Sequence, residues 1–174
     1  MKRILLFVCL VLLAAACDDQ TSGTTAVSGG KLYLLFEEVE PLTAEAVRTH
    51  GKCVAENIRI ESERPSAYHL CLAAVQQNER LRLKFEGVGS GITLSAACLA
   101  QTAEPNHNWN AASVDDYTDC SNGNLCRSGW TDAFWGFYTM KEGEDPHFSD
   151  TGLASCPLEE NLSVVLIFSR VEQN

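Results

Sequence analysis

The chain has 174 residues, of which 13 are lysine or arginine and 23 are aspartate or glutamate, so its formal net charge is −10. This length corresponds to one ordinary domain with enough chain to bury a core. The acidic balance argues against nucleic acid as a partner and favours cationic proteins, cations or neutral ligands. Alternatively, the acidity serves only to keep an exported protein soluble.

The N-terminus has the pattern of an export signal. Lys2 and Arg3 precede thirteen apolar residues, Ile4–Ala16, which as a helix would rise about 20 Å and fall short of a bilayer core of about 30 Å. The apolar run ends in alanines followed by Cys17, and here the segment resembles a bacterial lipoprotein signal, whose lipobox ends at the lipidated cysteine. The resemblance implies that residues 1–16 are removed and that Cys17 carries lipid; the alternative is an ordinary cleaved signal.

The residues that follow Cys17 predict an anchored, acidic protein. In lipoproteins, aspartate directly after the lipidated cysteine implies retention at the inner membrane, and Asp18 and Asp19 occupy these places. Removal of the signal leaves 11 basic against 23 acidic side chains, a formal charge of −12. Residues 17–30 are rich in glycine, serine and threonine and predict the lipidated cysteine with a flexible tether that spans about 20 Å. Residues 31–174 then form a single β-rich periplasmic domain.

The cysteines also indicate an oxidising compartment. Six remain once Cys9 and Cys17 are set aside, and an even number outside the cytoplasm predicts three disulfides. Their spacing does not match that of zinc ligands, so no metal is expected. Asn122-Gly123 lies between Cys120 and Cys126 and favours a turn that pairs these two. The six predicted disulfide cysteines are Cys53, Cys71, Cys98, Cys120, Cys126 and Cys156.

From Lys31 onwards, apolar residues recur with a period of two, which predicts strands. The predicted strands are KLYLLFEEVE, CVAENIRIES, AYHLCLAAVQ, RLRLKFEG, ITLSAACLA, AFWGFYTMK and LSVVLIFSRVE. In AYHLCLAAVQ, Ala73 and Ala74 leave a helix as the alternative. One short helix is predicted in PLTAEAVRTHGK, with Thr43 as its cap and Gly51 as its stop. We therefore expect a mainly β domain, an antiparallel sandwich or barrel-like fold of about seven to eight strands with one short helix, stapled by disulfides.

A long irregular region between Gln101 and Thr131 is the predicted binding site. Aromatic rings beside carboxylates favour a protein interface or stacking on sugar. The alternative is that the tryptophans, including Trp135, plug the end of the sandwich. The predicted partner-binding residues are Trp109, Tyr117, Trp130, Asp115, Asp116 and Asp119. The same aspartates with Asn122 and Asn124 could hold calcium, but their spacing does not match an EF-hand, and an acidic turn-forming loop is the simpler interpretation.

No catalytic motif is present in the sequence. It has no G-x-S-x-G elbow, no H-E-x-x-H and no glycine-rich phosphate loop that opens a helix. We therefore expect a non-enzymatic envelope lipoprotein, without cofactor, that binds a cationic protein. Such a protein would act as an inhibitor of, or give immunity against, a cell-wall hydrolase or toxin. The alternatives are an accessory subunit of an envelope secretion or transport assembly and a carbohydrate-binding module.

Overall fold

The structure, a computed structural model, describes residues 24–102, 124–129 and 132–171. Within these ranges the chain forms eight strands and two helices, together with a single turn of 3-10 helix at Gly89–Gly91. The strands are β1 (Thr25–Leu35), β2 (Lys52–Ser62), β3 (Leu81–Glu86), β4 (Thr93–Leu99), β5 (Leu125–Ser128), β6 (Ala133–Met140), β7 (His147–Phe148) and β8 (Ser163–Arg170). The helices are α1 (Ala44–His50) and α2 (Ala67–Gln77). The prediction of a mainly β fold is confirmed.

The strands form two sheets. The larger has five strands in the order β2-β1-β8-β6-β7, and the smaller has three in the order β3-β4-β5. All neighbouring pairs are antiparallel except β1 and β8, which run parallel, with Lys31 opposite Ser163 and Leu35 opposite Ile167. The larger sheet is therefore mixed, which the prediction of an antiparallel fold did not include.

The main core lies on the inner face of the larger sheet, where α2 and the three-stranded sheet pack against it. Leu34 and Leu166 of the larger sheet, Leu70 of α2, and Leu81 and Ala97 of the smaller sheet are fully buried in this core. A second cluster on the outer face, built on residues of β1, β6 and β8, packs under α1. The domain is thus layered, with α1 outside, the larger sheet in the middle, and α2 with the smaller sheet on the other side.

Helix α1 forms where the sequence predicted it. Thr43 caps its N-terminus, since its Oγ1 accepts the N–H of Ala46 at 3.1 Å, and the N–H of Gly51 closes its last turn on the carbonyl of Val47 at 2.9 Å. Asp145, from the connection after β6, also accepts the N–H of Ala44 at 2.8 Å. The helix is therefore fixed at both ends and tied to the larger sheet.

Helix α2 corrects a predicted strand. The segment AYHLCLAAVQ is helical, and its buried residues are Ala67, Leu70, Cys71 and Ala74. These positions follow the i, i+3, i+4, i+7 spacing of one helix face. Because that face is covered by the core, the helical alternative left open by the two central alanines is the correct one.

The predicted tether, residues 17–30, extends too far along the chain. Residues 25–30 belong to β1, where Thr25 pairs with Ser62 and Val27 with Ile60. Gly30 allows this because a Cβ at that position would collide with the side chain of Leu70. Glycine in this stretch therefore marks close packing of a strand against a helix rather than a flexible linker.

The cysteines depart from the predicted three disulfides. Cys98 and Cys126 stand directly opposite each other on β4 and β5, with Cα atoms 4.1 Å apart, and are disulfide-bonded. The favoured Cys120–Cys126 pairing is therefore wrong, because strand register gives Cys126 a different neighbour. Cys53, Cys71 and Cys156 are free thiols, and Cys120 lies outside the described residues.

Candidate protein-binding surface

The connection between β1 and α1 carries three carboxylates in four residues. Glu37, Glu38 and Glu40 are exposed, whereas Val39 is partly buried and packs with Leu42 against the cluster under α1. We call Glu37–Glu40 the acidic segment. Val39 anchors this segment to the larger sheet, so the three carboxylates are held in place at the surface.

The start of this connection is fixed by aromatic packing. Phe36 is buried and meets Trp135 edge to face, with ring centroids 5.6 Å apart, and Trp135 in turn lies 5.5 Å from Phe168. The indole N–H of Trp135 donates to the carbonyl of Arg127 at 3.4 Å. The interpretation that a tryptophan fills the interior is thus correct for Trp135.

A groove of about 630 Å³ opens beside the acidic segment, on the same side of the larger sheet as α1. We call it the acidic groove, and its lining residues are Glu38, Val39, Glu40, Pro41, Leu42, Tyr138, Ile167 and Ser169. Its floor comes from β6 and β8, and among the residues that the structure describes Glu38 and Glu40 are the only carboxylates that line it. No basic residue of the described chain lines it. The groove therefore combines an apolar floor with a negative rim.

The opposite side of the acidic segment is electrostatically different. A second groove of about 590 Å³ lies there, and it is lined by His50, Lys52 and Arg127 together with Glu37, Glu38 and Glu40. Arg127 Nη2 lies 3.5 Å from Glu37 Oε1, but Glu37 is 84% exposed, so this ion pair is weak. In the described chain Glu38 and Glu40 have no ion-pair partner. Glu38 and Glu40 therefore line both grooves, and the acidic groove is the one whose described lining places no basic side chain beside them.

The acidic segment lies at the far end of β1 from the N-terminus. The chain enters the sheet at Thr25 and reaches the acidic segment just after Leu35, ten residue steps later. At about 3.3 Å per step, these two points are about 30 Å apart. If Cys17 is lipidated, residues 18–24 separate the lipid from the start of β1, and the acidic segment follows the other end of this strand.

The residues predicted to bind a partner are outside the described part of the chain. This applies to Trp109, Tyr117, Trp130 and the three aspartates, and equally to Cys17. Of the possible calcium ligands only Asn124 is described, and its Oδ1 accepts the N–H of Gln101 at 2.9 Å. Leu125 follows directly and lines the groove with Lys52 and Arg127. The predicted binding region therefore joins the described domain beside the acidic segment.

The acidic segment was not predicted from the sequence as a separate surface element. It was included in the predicted strand KLYLLFEEVE, but β1 ends at Leu35. The signal was present, because the apolar alternation stops at Glu37 and Pro41 follows. Sequence could not reveal that Tyr138 and Ile167, far along the chain, supply the floor of a groove there.

The free thiols are not arranged as a reactive centre. Burial raises the pKa of Cys71 to about 12 and also raises the pKa of Cys53 and of Cys156, which keeps these thiols protonated and poorly nucleophilic near neutral pH. Across the described ranges, no three histidine, cysteine, aspartate or glutamate side chains are grouped as metal ligands. Neither described helix has the length and apolar character needed to cross a membrane.

No family model matches the chain, and no curated protein matches it significantly.

Proposed function

We propose that this protein is a non-enzymatic lipoprotein of the bacterial envelope that binds a cationic protein through the acidic groove. In this proposal Cys17 carries the lipid, the domain stands in the periplasm at the inner membrane, and binding inhibits or neutralises a cell-wall hydrolase or toxin. The single observation that carries the proposal is a groove with an apolar floor, lined among the described residues by two carboxylates, Glu38 and Glu40, and by no basic side chain.

The groove has the composition of a binding site for protein side chains. An apolar floor supplies area to bury, and a rim of one charge sign selects partners of the opposite sign and speeds their association. The partner segment we expect therefore presents lysine or arginine beside apolar residues. The net charge of −12 of the proposed mature chain adds long-range attraction for such a partner.

The orientation of the domain supports the same proposal. The acidic groove lies about 30 Å along β1 from the end that would be tethered to lipid. Seven residues, 18–24, separate Cys17 from the first residue of β1. The groove would therefore be presented to soluble proteins of the periplasm rather than to the lipid head groups.

The test is retention of a partner by the full-length protein from envelope extract at low and moderate salt. The double variant Glu38→Gln/Glu40→Gln removes the charge of the rim without changing its size. The matched control is Glu63→Gln/Glu160→Gln, which removes two exposed carboxylates at the opposite end of β1, next to Ser62 and Asn161.

We expect the wild type and the control to retain a saturable protein partner, and the groove variant to bind it about tenfold more weakly. Added salt should reduce binding by the wild type more than binding by the groove variant. Absence of any saturable partner, or equal weakening by both double variants, would contradict the proposal.

A further inference from the structure

A second groove follows the free edge of β6. Strand β7 pairs with only two residues of β6, Tyr138 and Thr139, and the chain then leaves the sheet after Ser149. Between this edge and the start of β4 lies a groove of about 390 Å³, which we call the edge groove. Among the described residues, no strand pairs with this side of β6 from Phe134 to Gly136.

The backbone of Trp135 faces this groove. The N–H of Ser149 donates to the carbonyl of Phe137 at 2.9 Å, which shows that the peptide groups of Phe137 point towards the β7 side. Peptide groups two residues apart along a strand point the same way, and the register between β6 and β8 is unbroken. The N–H and C=O of Trp135 therefore point into the edge groove, where no described residue bonds to them.

The side chains around this edge suit an added strand. Phe134 and Phe148 are 48% and 60% exposed and flank the groove, while the buried Leu94 and Leu153 line its depth. An extended residue occupies about 160 Å³, from a rise of about 3.3 Å, a strand spacing of about 4.8 Å and a sheet spacing of about 10 Å. The groove thus accommodates two or three residues of extended chain, with apolar side chains at alternate positions.

The charge and the position of the edge groove indicate its occupant. Within the described part of the chain, Asp150 is the only ionisable side chain that lines it. The ring of Phe148 packs edge to face on Tyr138, with centroids 5.3 Å apart, and Tyr138 also lines the acidic groove. The two grooves are therefore neighbours, joined by the contact between Phe148 and Tyr138, and the carboxylates that line each of them favour a cationic ligand.

We infer that an extended segment of the cationic partner adds to the larger sheet as a strand. It would lie beside β6, in the position next to this strand that the chain vacates after Ser149. Its backbone pairs with the N–H and C=O of Trp135, and its basic side chains face Asp150 and the rim of the acidic groove. This inference rests on the proposed function, because it takes the occupant to be part of the same partner.

The probe for the test is a decapeptide selected from a random displayed library against the full-length chain. Single N-methylation at each peptide residue in turn removes one backbone donor at a time. We expect methylation of one peptide residue, the one whose N–H donates to the C=O of Trp135, to weaken binding about tenfold, and methylation of its two neighbours, whose N–H groups point away from β6, to change it little. Exchange of the Trp135 amide hydrogen should slow at least about tenfold when the peptide saturates the protein.

Side-chain variants locate the site. Phe148→Ala should weaken peptide binding, whereas Leu72→Ala, which alters an exposed apolar residue of α2 outside the groove, should not. Equal effects of methylation at every peptide position, or unchanged exchange at Trp135, would overturn the inference.

Failure of the strand site and failure of the acidic groove give different results. A peptide that loses affinity for Glu38→Gln/Glu40→Gln but leaves Trp135 exchange unchanged would overturn strand addition and keep the acidic groove. A peptide that slows Trp135 exchange and is insensitive to the same double variant would support strand addition and count against the acidic groove.

Discussion

The two sheets of this domain are stabilised in different ways. In the larger sheet, seven of the eight residues of β8 are buried, with Leu166 facing the main core and Val165 facing the cluster under α1. The smaller sheet contributes one face to the main core and carries the Cys98–Cys126 disulfide with Ala96 on its other face. We therefore expect apolar burial to dominate in the larger sheet and the covalent bond to matter more in the smaller one.

This difference bears on function, because residues of the larger sheet contribute to both grooves. Tyr138 and Ile167 form the floor of the acidic groove, and Trp135 presents the edge of β6. All three residues belong to the two strands that are packed on both faces. A binding surface on such a platform changes little when a partner docks, so less ordering entropy opposes binding.

The largest expected effect is on the buried strand of the larger sheet. Leu166 has no exposed surface, so Leu166→Ala should lower the free energy of unfolding by about 4 kcal/mol, from lost burial and the cavity left behind. Leu83→Ala is the matched change in the smaller sheet and should cost about 1 to 2 kcal/mol, because Leu83 is only partly buried. Urea unfolding measures both; equal costs would break the comparison between the sheets.

Removal of the disulfide should act mainly on the smaller sheet. Cys98 and Cys126 are 28 residues apart, so the double variant Cys98→Ala/Cys126→Ala should cost about 3.5 kcal/mol in the chain-entropy model. Amide hydrogens of β4 and β5 should lose protection from exchange more than those of β8. If β8 loses as much protection as β4, the two sheets unfold as one unit and the distinction is wrong.

Alkaline pH should act on the core that the two sheets share. Burial raises the pKa of Cys71 from 9.0 to about 12, so the folded state binds this proton more tightly than the unfolded state. The resulting stabilisation is complete below pH 9 and is lost as pH rises from 9 to 12. At pH 10.5 the wild type should have lost about 2 kcal/mol that Cys71→Ala does not lose.

The measurement is urea unfolding between pH 7.5 and 10.5, with amide exchange as the second readout. Since Cys71 lies on α2 in the main core, protection of both sheets should fall together. Parallel pH profiles for the wild type and Cys71→Ala would show that the thiol is not held protonated by burial.

The features that could be predicted from sequence are those set by neighbouring residues. The run of apolar, β-branched residues was sufficient to predict β8. The N-terminal cap Thr43 and the C-terminal Gly51 were sufficient to predict α1. The helix α2 could not be assigned, because an apolar, alanine-rich segment fits a strand or a helix until it is known what covers it. The short strands β5 and β7 exist because longer strands pair with them, so they leave no signal of their own.

The remaining features depend on contacts between distant parts of the chain. The parallel pairing of β1 with β8 joins the first and last strands, and the partner of Cys126 follows from the register between β4 and β5. For the candidate site, the acidic segment is visible in sequence only as a run of glutamates. Its groove exists because β6 and β8 pass beneath it. Involvement of Trp109, Tyr117 and Trp130 in binding stays a prediction.

The smallest expected effect tests whether α1 contributes to the stability of the larger sheet. Thr43→Ala removes the acceptor for the N–H of Ala46 and should cost about 1 kcal/mol. The cost should not be larger, because Asp145 still accepts the N–H of Ala44. Thermal or urea unfolding measures it, and Thr49→Ala, an exposed threonine near the C-terminal end of the same helix, is the control that should change stability by less than about 0.5 kcal/mol.

The same variant connects stability to binding. Val39 of the acidic segment and the neighbouring Leu42 pack against the cluster under α1. Fraying of the first turn of α1 should therefore loosen the wall of the acidic groove. Thr43→Ala should therefore weaken retention of a cationic partner by a small factor, less than the loss caused by Glu38→Gln/Glu40→Gln. If Thr43→Ala leaves stability unchanged, the cluster under α1 rather than the N-terminal cap holds the helix in place. Apolar packing alone would then keep α1 on the outer face of the larger sheet.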